Sequence, residues 1–119
     1  MNHKHAGDVP TEPIGAGSGT VRQVLISSDE GPNFAMRRFI MEQGGGMPNH
    51  TNTVEHEQYI LSGNARIGIG DKVIEVKRDD VVFIPAGVPH WYESLGPEAF
   101  EFICVVPNGP DELRLIEDD

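Results

Sequence analysis

Cysteine is almost missing from this sequence. Cys104 is the only one, which excludes an intramolecular disulfide and any zinc finger built on several thiolates, and it suits a reducing, intracellular setting. Cations are scarce as well: 9 Lys and Arg stand against 19 Asp and Glu, for a formal charge of −10. A field of that sign repels phosphate backbones and argues against nucleic acid as a partner. No apolar run has the length of a signal peptide or a membrane span, so the expectation is a cytoplasmic protein with no membrane partner. A Gly-x-Ser-x-Gly elbow is absent, which leaves a serine hydrolase unsupported. Gly44-Gly45-Gly46 lacks the Lys-Ser/Thr ending of a phosphate loop and reads as a flexible turn. Nor does any stretch hold a 3.6-residue apolar period long enough for a sizeable helix.

What remains is β-rich. Short runs of β-branched and aromatic residues occur at 20–26, 34–41, 56–61, 65–69, 72–76, 81–84, 90–93 and 100–106, separated by Gly and Pro. Eight such runs in 119 residues predict one closed or double-sheet all-β domain with a single core. Gly70-Asp71 falls between two of them with the composition of a tight hairpin turn, and Ile67, Ile69 and Val73 alternate as in a half-buried hairpin. Residues 1–19 are polar and rich in Gly and Pro and read as a flexible arm; 20–108 form the barrel. Residues 109–119 read as an acidic tail carrying Asp111, Glu112, Glu117, Asp118 and Asp119, with one helical turn through Leu113, Leu115 and Ile116.

Of the five histidines, His3 and His5 lie in the arm, whereas His50, His56 and His90 each sit at the entry to an expected strand. Such junctions are where barrel side chains converge on a pocket. Three neutral imidazoles can hold a first-row transition metal and leave positions open for water or substrate, as a catalytic site does. By strand parity Asn52 shares a face with His50, Gln58 with His56, and Tyr92 with His90, while Glu57 points the other way. Unliganded histidines titrate near 6.5, so metal binding through them is expected to weaken between about pH 6 and 5.

The spacing resembles that of the cupins. Their first motif runs Gly, five residues, His, one residue, His, three or four residues, Glu, six residues, Gly; here Gly44, His50, Asn52, His56 and Gly63 keep every interval. Asn52 stands at the second His and His56 at the Glu. Their second motif runs Gly, five residues, Pro, one residue, Gly, two residues, His, three residues, Asn; here Asp79, Pro85, Gly87, His90 and Ser94 match in spacing, with Asp79 and Ser94 as departures. The resemblance extends over about residues 21–107 and is nearest to small single-domain cupins whose metal, manganese among others, is held by histidines alone. It implies a jelly-roll barrel, often dimeric, with one divalent Mn, Fe, Ni, Cu or Zn ion in its mouth.

On that reading His50, His56 and His90 are the ligands, and Asn52 is either a fourth, carbonyl ligand or a hydrogen-bonding residue behind them. His56 in place of a carboxylate leaves the site charge near +2, which favours an anionic or oxygen-donor small molecule. Gln58, Tyr92, Phe102 and Cys104 are candidate substrate-binding residues, Cys104 being more readily read as a buried, inert thiol. Trp91 and Tyr59 either shape a pocket or fill the core. Two functions stay open: a metal-dependent enzyme catalysing dioxygenase-type oxidation or isomerisation, and a non-catalytic barrel for a small molecule or metal. Val21-Arg22-Gln23-Val24-Leu25-Ile26 is apolar enough to need cover, and predicts a two-fold homodimer formed by adding this segment to the partner's sheet.

Overall fold

Strict alternation shapes the molecule. In the strand Phe100–Pro107 the side chains of Phe100, Phe102, Cys104 and Val106 are buried while those between them are half-exposed, so one face turns to the core. The computed structural model describes residues 1–116. It contains ten strands: β1 Glu12–Pro13, β2 Ser18–Ile26, β3 Phe34–Thr51, β4 His56–Ser62, β5 Asn64–Ile69, β6 Lys72–Lys77, β7 Val81–Ile84, β8 His90–Ser94, β9 Phe100–Pro107 and β10 Arg114–Leu115. The pairings are antiparallel throughout. The all-β expectation holds, and the arrangement is a jelly roll.

One strand makes it so. The first half of β3 pairs with β2 and β9, and its second half pairs with β8 and β10. β3 therefore belongs to both sheets, β2-β3-β9-β4-β7 on one side and β3-β8-β5-β6 on the other, with the core between them. The corner is the glycine triplet. Gly44 has φ +82°, and a Cβ on Gly46 would lie 2.0 Å from the Tyr92 carbonyl oxygen. The triplet is thus no turn ahead of the motif, as its composition suggested. It is the continuous bend by which one strand crosses from sheet to sheet.

Other details also depart from expectation. The β5–β6 hairpin turns at Gly70-Asp71 as expected, with Ile69 paired to Lys72. Val73, however, faces solvent at 59% exposure, because it pairs with Gly68 on the outer face, where Trp91 packs over the glycine. The segment through Leu113, Leu115 and Ile116 forms no helical turn; Arg114 and Leu115 pair with Thr51 and His50 as β10. Glu117, Asp118 and Asp119 lie outside the described residues. Within 1–19 the structure sets a 3-10 turn at Ala6–Asp8 and β1, and the Gln23 amide donates to the carbonyls of Ala6 and Val9. The edge of β2 that strand exchange would use is taken at Val21 and Arg22 by Pro13 and Glu12 of the same chain.

Asp79, which stands where the second motif has Gly, adopts φ +73°, a conformation suited to glycine. The Tyr59 hydroxyl donates to its carboxylate at 2.7 Å and braces the turn. Tyr59 therefore works on the outer surface, 45% exposed, and not in a pocket. Among the described residues no helix is long and apolar enough to cross a membrane.

Candidate metal centre

The three histidines meet at one end of the space between the sheets. His50 near the end of β3 and His90 at the start of β8 are direct cross-strand partners, with ring centroids 4.1 Å apart. His56 opens β4 in the facing sheet, its ring centroid 6.1 Å from that of His90. Backbone carbonyls two residues back along the chain fix the His50 and His90 rings. Nδ1 of His50 lies 2.8 Å from the Pro48 carbonyl oxygen and Nδ1 of His90 lies 2.9 Å from that of Val88. A carbonyl only accepts, so Nδ1 carries the proton in both and Nε2 presents a lone pair. Gly87 N–H donates to the Asn52 carbonyl oxygen at 2.8 Å and ties the two motif loops together.

The interior they face is a cavity of about 70 Å³, lined by His50, Asn52, His56, Gln58, His90, Tyr92 and Phe102, and by Arg37, Phe39 and Met47. Phe39, Phe102 and Tyr92 form a continuous stack, with centroid spacings of 5.1 and 5.4 Å. Gln58 Nε2 donates to the Tyr92 hydroxyl oxygen at 2.7 Å. Cys104 is buried outright behind this wall, 3.8 Å from both Gln58 Nε2 and Arg37 Nη2, and does not line the cavity. Glu57 faces solvent.

Burial dominates the electrostatics. It lowers the His50 pKa, and it takes His56 and His90 to about 4, with the Arg37 charge adding to the effect at His56. Burial also raises the Cys104 thiol and the Tyr92 hydroxyl above their ordinary values. His56 and His90 are consequently neutral well below pH 6, so any weakening of metal binding by their protonation is expected nearer pH 4 than between about pH 6 and 5.

Nε2 of His56, Nε2 of His90 and Oδ1 of Asn52 are all buried with no hydrogen-bond partner. Each such orphan costs roughly 1–3 kcal/mol unless something satisfies it. Nitrogen and carbonyl oxygen lone pairs aimed into one cavity are the donor set a first-row transition ion takes, so these residues fit a metal. Among the described residues, no three His, Cys, Asp or Glu side chains are already drawn in to a common metal distance.

Two charged neighbours escaped the motif spacing. Arg37 shares strand parity with Phe39 and Met41, and that cue was present in the sequence: a cation on the inward face of an apolar strand. Asp111 comes from the C-terminal segment, with Oδ2 3.6 Å from His56 Nε2. It lies outside both motifs, and nothing in the local sequence marks it.

A two-sheet jelly roll with histidines converging at its mouth defines the class of small β-barrels to which this chain belongs. More particularly, the cupin domain model matches residues 37–106, and the chain is a member of that family. Its fold is similar to that of the polyketide cyclase RemF from Streptomyces resistomycificus, with TM-score 0.90 and 27% identity, covering 100% of this chain and 87% of that one. In sequence it is similar to the 1-methylthio-D-xylulose 5-phosphate methylsulfurylase of Rhodospirillum rubrum, 28% identical over 115 residues, which is 97% of this chain and 69% of that protein. It is also 33% identical over 81 residues to a mannose-1-phosphate guanylyltransferase of Salmonella montevideo, a match that spans 66% of this chain and only 17% of the enzyme.

Proposed function

We propose that the chain holds one divalent transition metal ion on His50, His56 and His90, with Asn52 beside it, and acts as a metal-dependent enzyme on a small oxygen-donor molecule. The observation that carries this reading is the set of buried, unpartnered donors, His56 Nε2, His90 Nε2 and Asn52 Oδ1, around one small cavity. When bound, the metal would supply Lewis-acid polarisation of a substrate oxygen or activation of dioxygen. The chain's own residues do the rest. The Pro48 and Val88 carbonyls hold the His50 and His90 rings in the ligating tautomer. The Phe39, Phe102 and Tyr92 stack excludes water from one wall, and Arg37 offers a cationic edge to an anionic oxygen. Candidate reactions are oxidation and isomerisation of a small substrate.

The alternative is a non-catalytic barrel for a metabolite or metal. Likeness to a polyketide cyclase and a methylsulfurylase, both named for catalysis, favours the enzyme. We also propose a two-fold homodimer, since the rest of β2 beyond Val21 and Arg22 still offers an open edge. Light scattering should then give twice the 13.0 kDa chain mass. The functional reading is tested by metal analysis of protein purified without an affinity tag, followed by a screen of small oxygen-donor compounds under air and under argon. Turnover that depends on the metal supports the enzyme; metal or ligand binding without turnover across the screen supports the binding barrel.

A further inference from the structure

The C-terminal segment is held across the mouth of the cavity by three backbone links and a fourth made by a side chain. Arg114 and Leu115 pair with Thr51 and His50, Ile116 N–H donates to the Asn49 carbonyl oxygen at 2.9 Å, and Leu113 lines the cavity. The fourth link is a clamp on a single side chain. Thr53 Oγ1 donates to the Pro110 carbonyl oxygen at 2.9 Å and accepts from Glu112 N–H at 2.8 Å, so one hydroxyl grips the chain on both sides of Asp111. The clamped residue directs Oδ2 to within 3.6 Å of His56 Nε2.

This contact is unusual. At 3.6 Å the two atoms are past hydrogen-bond distance. Among the described residues the side chain that faces the Asp111 carboxylate is His56, whose protonated form it favours, and no Lys or Arg lies within ion-pair distance of it. A carboxylate with 22% side-chain exposure, aimed at an unpartnered imidazole nitrogen, is poorly placed by itself. It is well placed to share a cation. Two donors each about 2.1 Å from one ion lie roughly 3.0–3.4 Å apart at octahedral or tetrahedral angles. The observed separation is within a few tenths of an ångström of that range.

We infer that Asp111 is a further ligand of the metal site, a carboxylate delivered by the C-terminal segment and positioned by the Thr53 clamp. This rests on the three-histidine reading above and changes its chemistry. A carboxylate reduces the net charge of a divalent site from about +2 to +1, and it makes the segment that covers the mouth part of the coordination sphere. Entry of an oxygen-donor substrate can then occur by displacement of Asp111, with release of the segment from β3.

The test uses full-length, metal-free protein and Co²⁺ as the probe, with affinity read by calorimetry and coordination by the visible absorption of the bound ion. Wild type takes up one Co²⁺ per chain. Asp111→Asn, nearly the same shape without the charge, weakens binding by at least the roughly 10- to 100-fold that loss of an outer partner alone can cost, and alters the spectrum at saturation. Thr53→Val keeps the carboxylate, removes the clamp and gives an intermediate loss. His56→Gln reports on the histidine site itself. Wild-type affinity and spectrum in both Asp111→Asn and Thr53→Val, with binding lost in His56→Gln, overturns the role of Asp111 and leaves the histidine site standing. No uptake by wild type overturns both.

Discussion

The same strands serve two ends of one interior, and the ends differ in kind. On β4 the inward row runs His56, Gln58, Ile60; on β8 it runs His90, Tyr92, Ser94; on β9 it runs from Phe100 and Phe102 to Cys104 and Val106. Where Phe100, Ile60, Ile67 and Met41 meet, the inward side chains are fully buried and mostly apolar, and the polar ones, Ser94 and Thr20, are satisfied by backbone carbonyls. At the mouth the inward positions are just as enclosed, yet they carry imidazole and amide groups with unsatisfied lone pairs. Alternation decides which side chains point in. It does not decide that the inside be oily, and the end where it is not is the end proposed to bind. The apolar end packs the barrel; the polar end carries the cost of orphaned donors that a ligand would satisfy.

The widest contrast should come from truncating each end. Phe100 is fully buried at the apolar end, its ring 5.4 Å from that of Phe102, so Phe100→Ala should lower unfolding stability by about 3–5 kcal/mol in urea titrations of the metal-free protein. His90→Leu, equally buried but at the polar end, should leave metal-free stability nearly unchanged, because removal of an orphaned nitrogen offsets loss of the Nδ1–H bond to the Val88 carbonyl. A loss as large as that of Phe100→Ala would show the mouth to be ordinary core. Added metal should sharpen the same comparison: at 100 times Kd it stabilises wild type by about 2.7 kcal/mol and His90→Leu far less.

Acidity should separate the ends next. The folded pKa values of His56 and His90, about 4, lie below the unfolded value of 6.5. The unfolded chain therefore binds more protons between those limits. Metal-free stability should be flat above about pH 6.5 and fall as pH drops towards 4, by up to about 1.4 kcal/mol per pH unit for each imidazole. Replacing both residues with Gln should flatten the profile over that window; an unchanged slope would place the titrating groups elsewhere. Smaller again is the effect at Asn52. Asn52→Ala should weaken metal binding less than loss of any of the three histidines, and Asn52→His should tighten it, imidazole being the better donor. Complete metal loss in Asn52→Ala would make the amide a full ligand.

Why some of this could be read from the sequence and some could not follows from the kind of signal each feature leaves. His50, His56 and His90 were legible because they stand at fixed intervals from turn residues; His56 and His90 do open strands, whereas His50 lies near the end of β3, which runs on through the glycine triplet, and period-two parity assigned Gln58 and Tyr92 to the same interior. Cys104 shows the limit of parity: it selects the right face but not the depth, and the thiol ends up behind Gln58. The glycine triplet was misread because loop composition and a sheet-crossing bend look alike until both strand partners are known. Arg37 was within reach by parity with Phe39 and Met41. Asp111 was not, since only the pairing of β10 with the end of β3, a contact across more than half the chain, brings it to His56.

The central claim is that the polar end is a metal site made by three histidines. Metal analysis of tag-free protein tests it directly, on wild type and on the three double variants lacking two of His50, His56 and His90. Close to one divalent transition metal per chain is expected in wild type and essentially none in any double variant, with His3 and His5 irrelevant. Full occupancy in any double variant would contradict it.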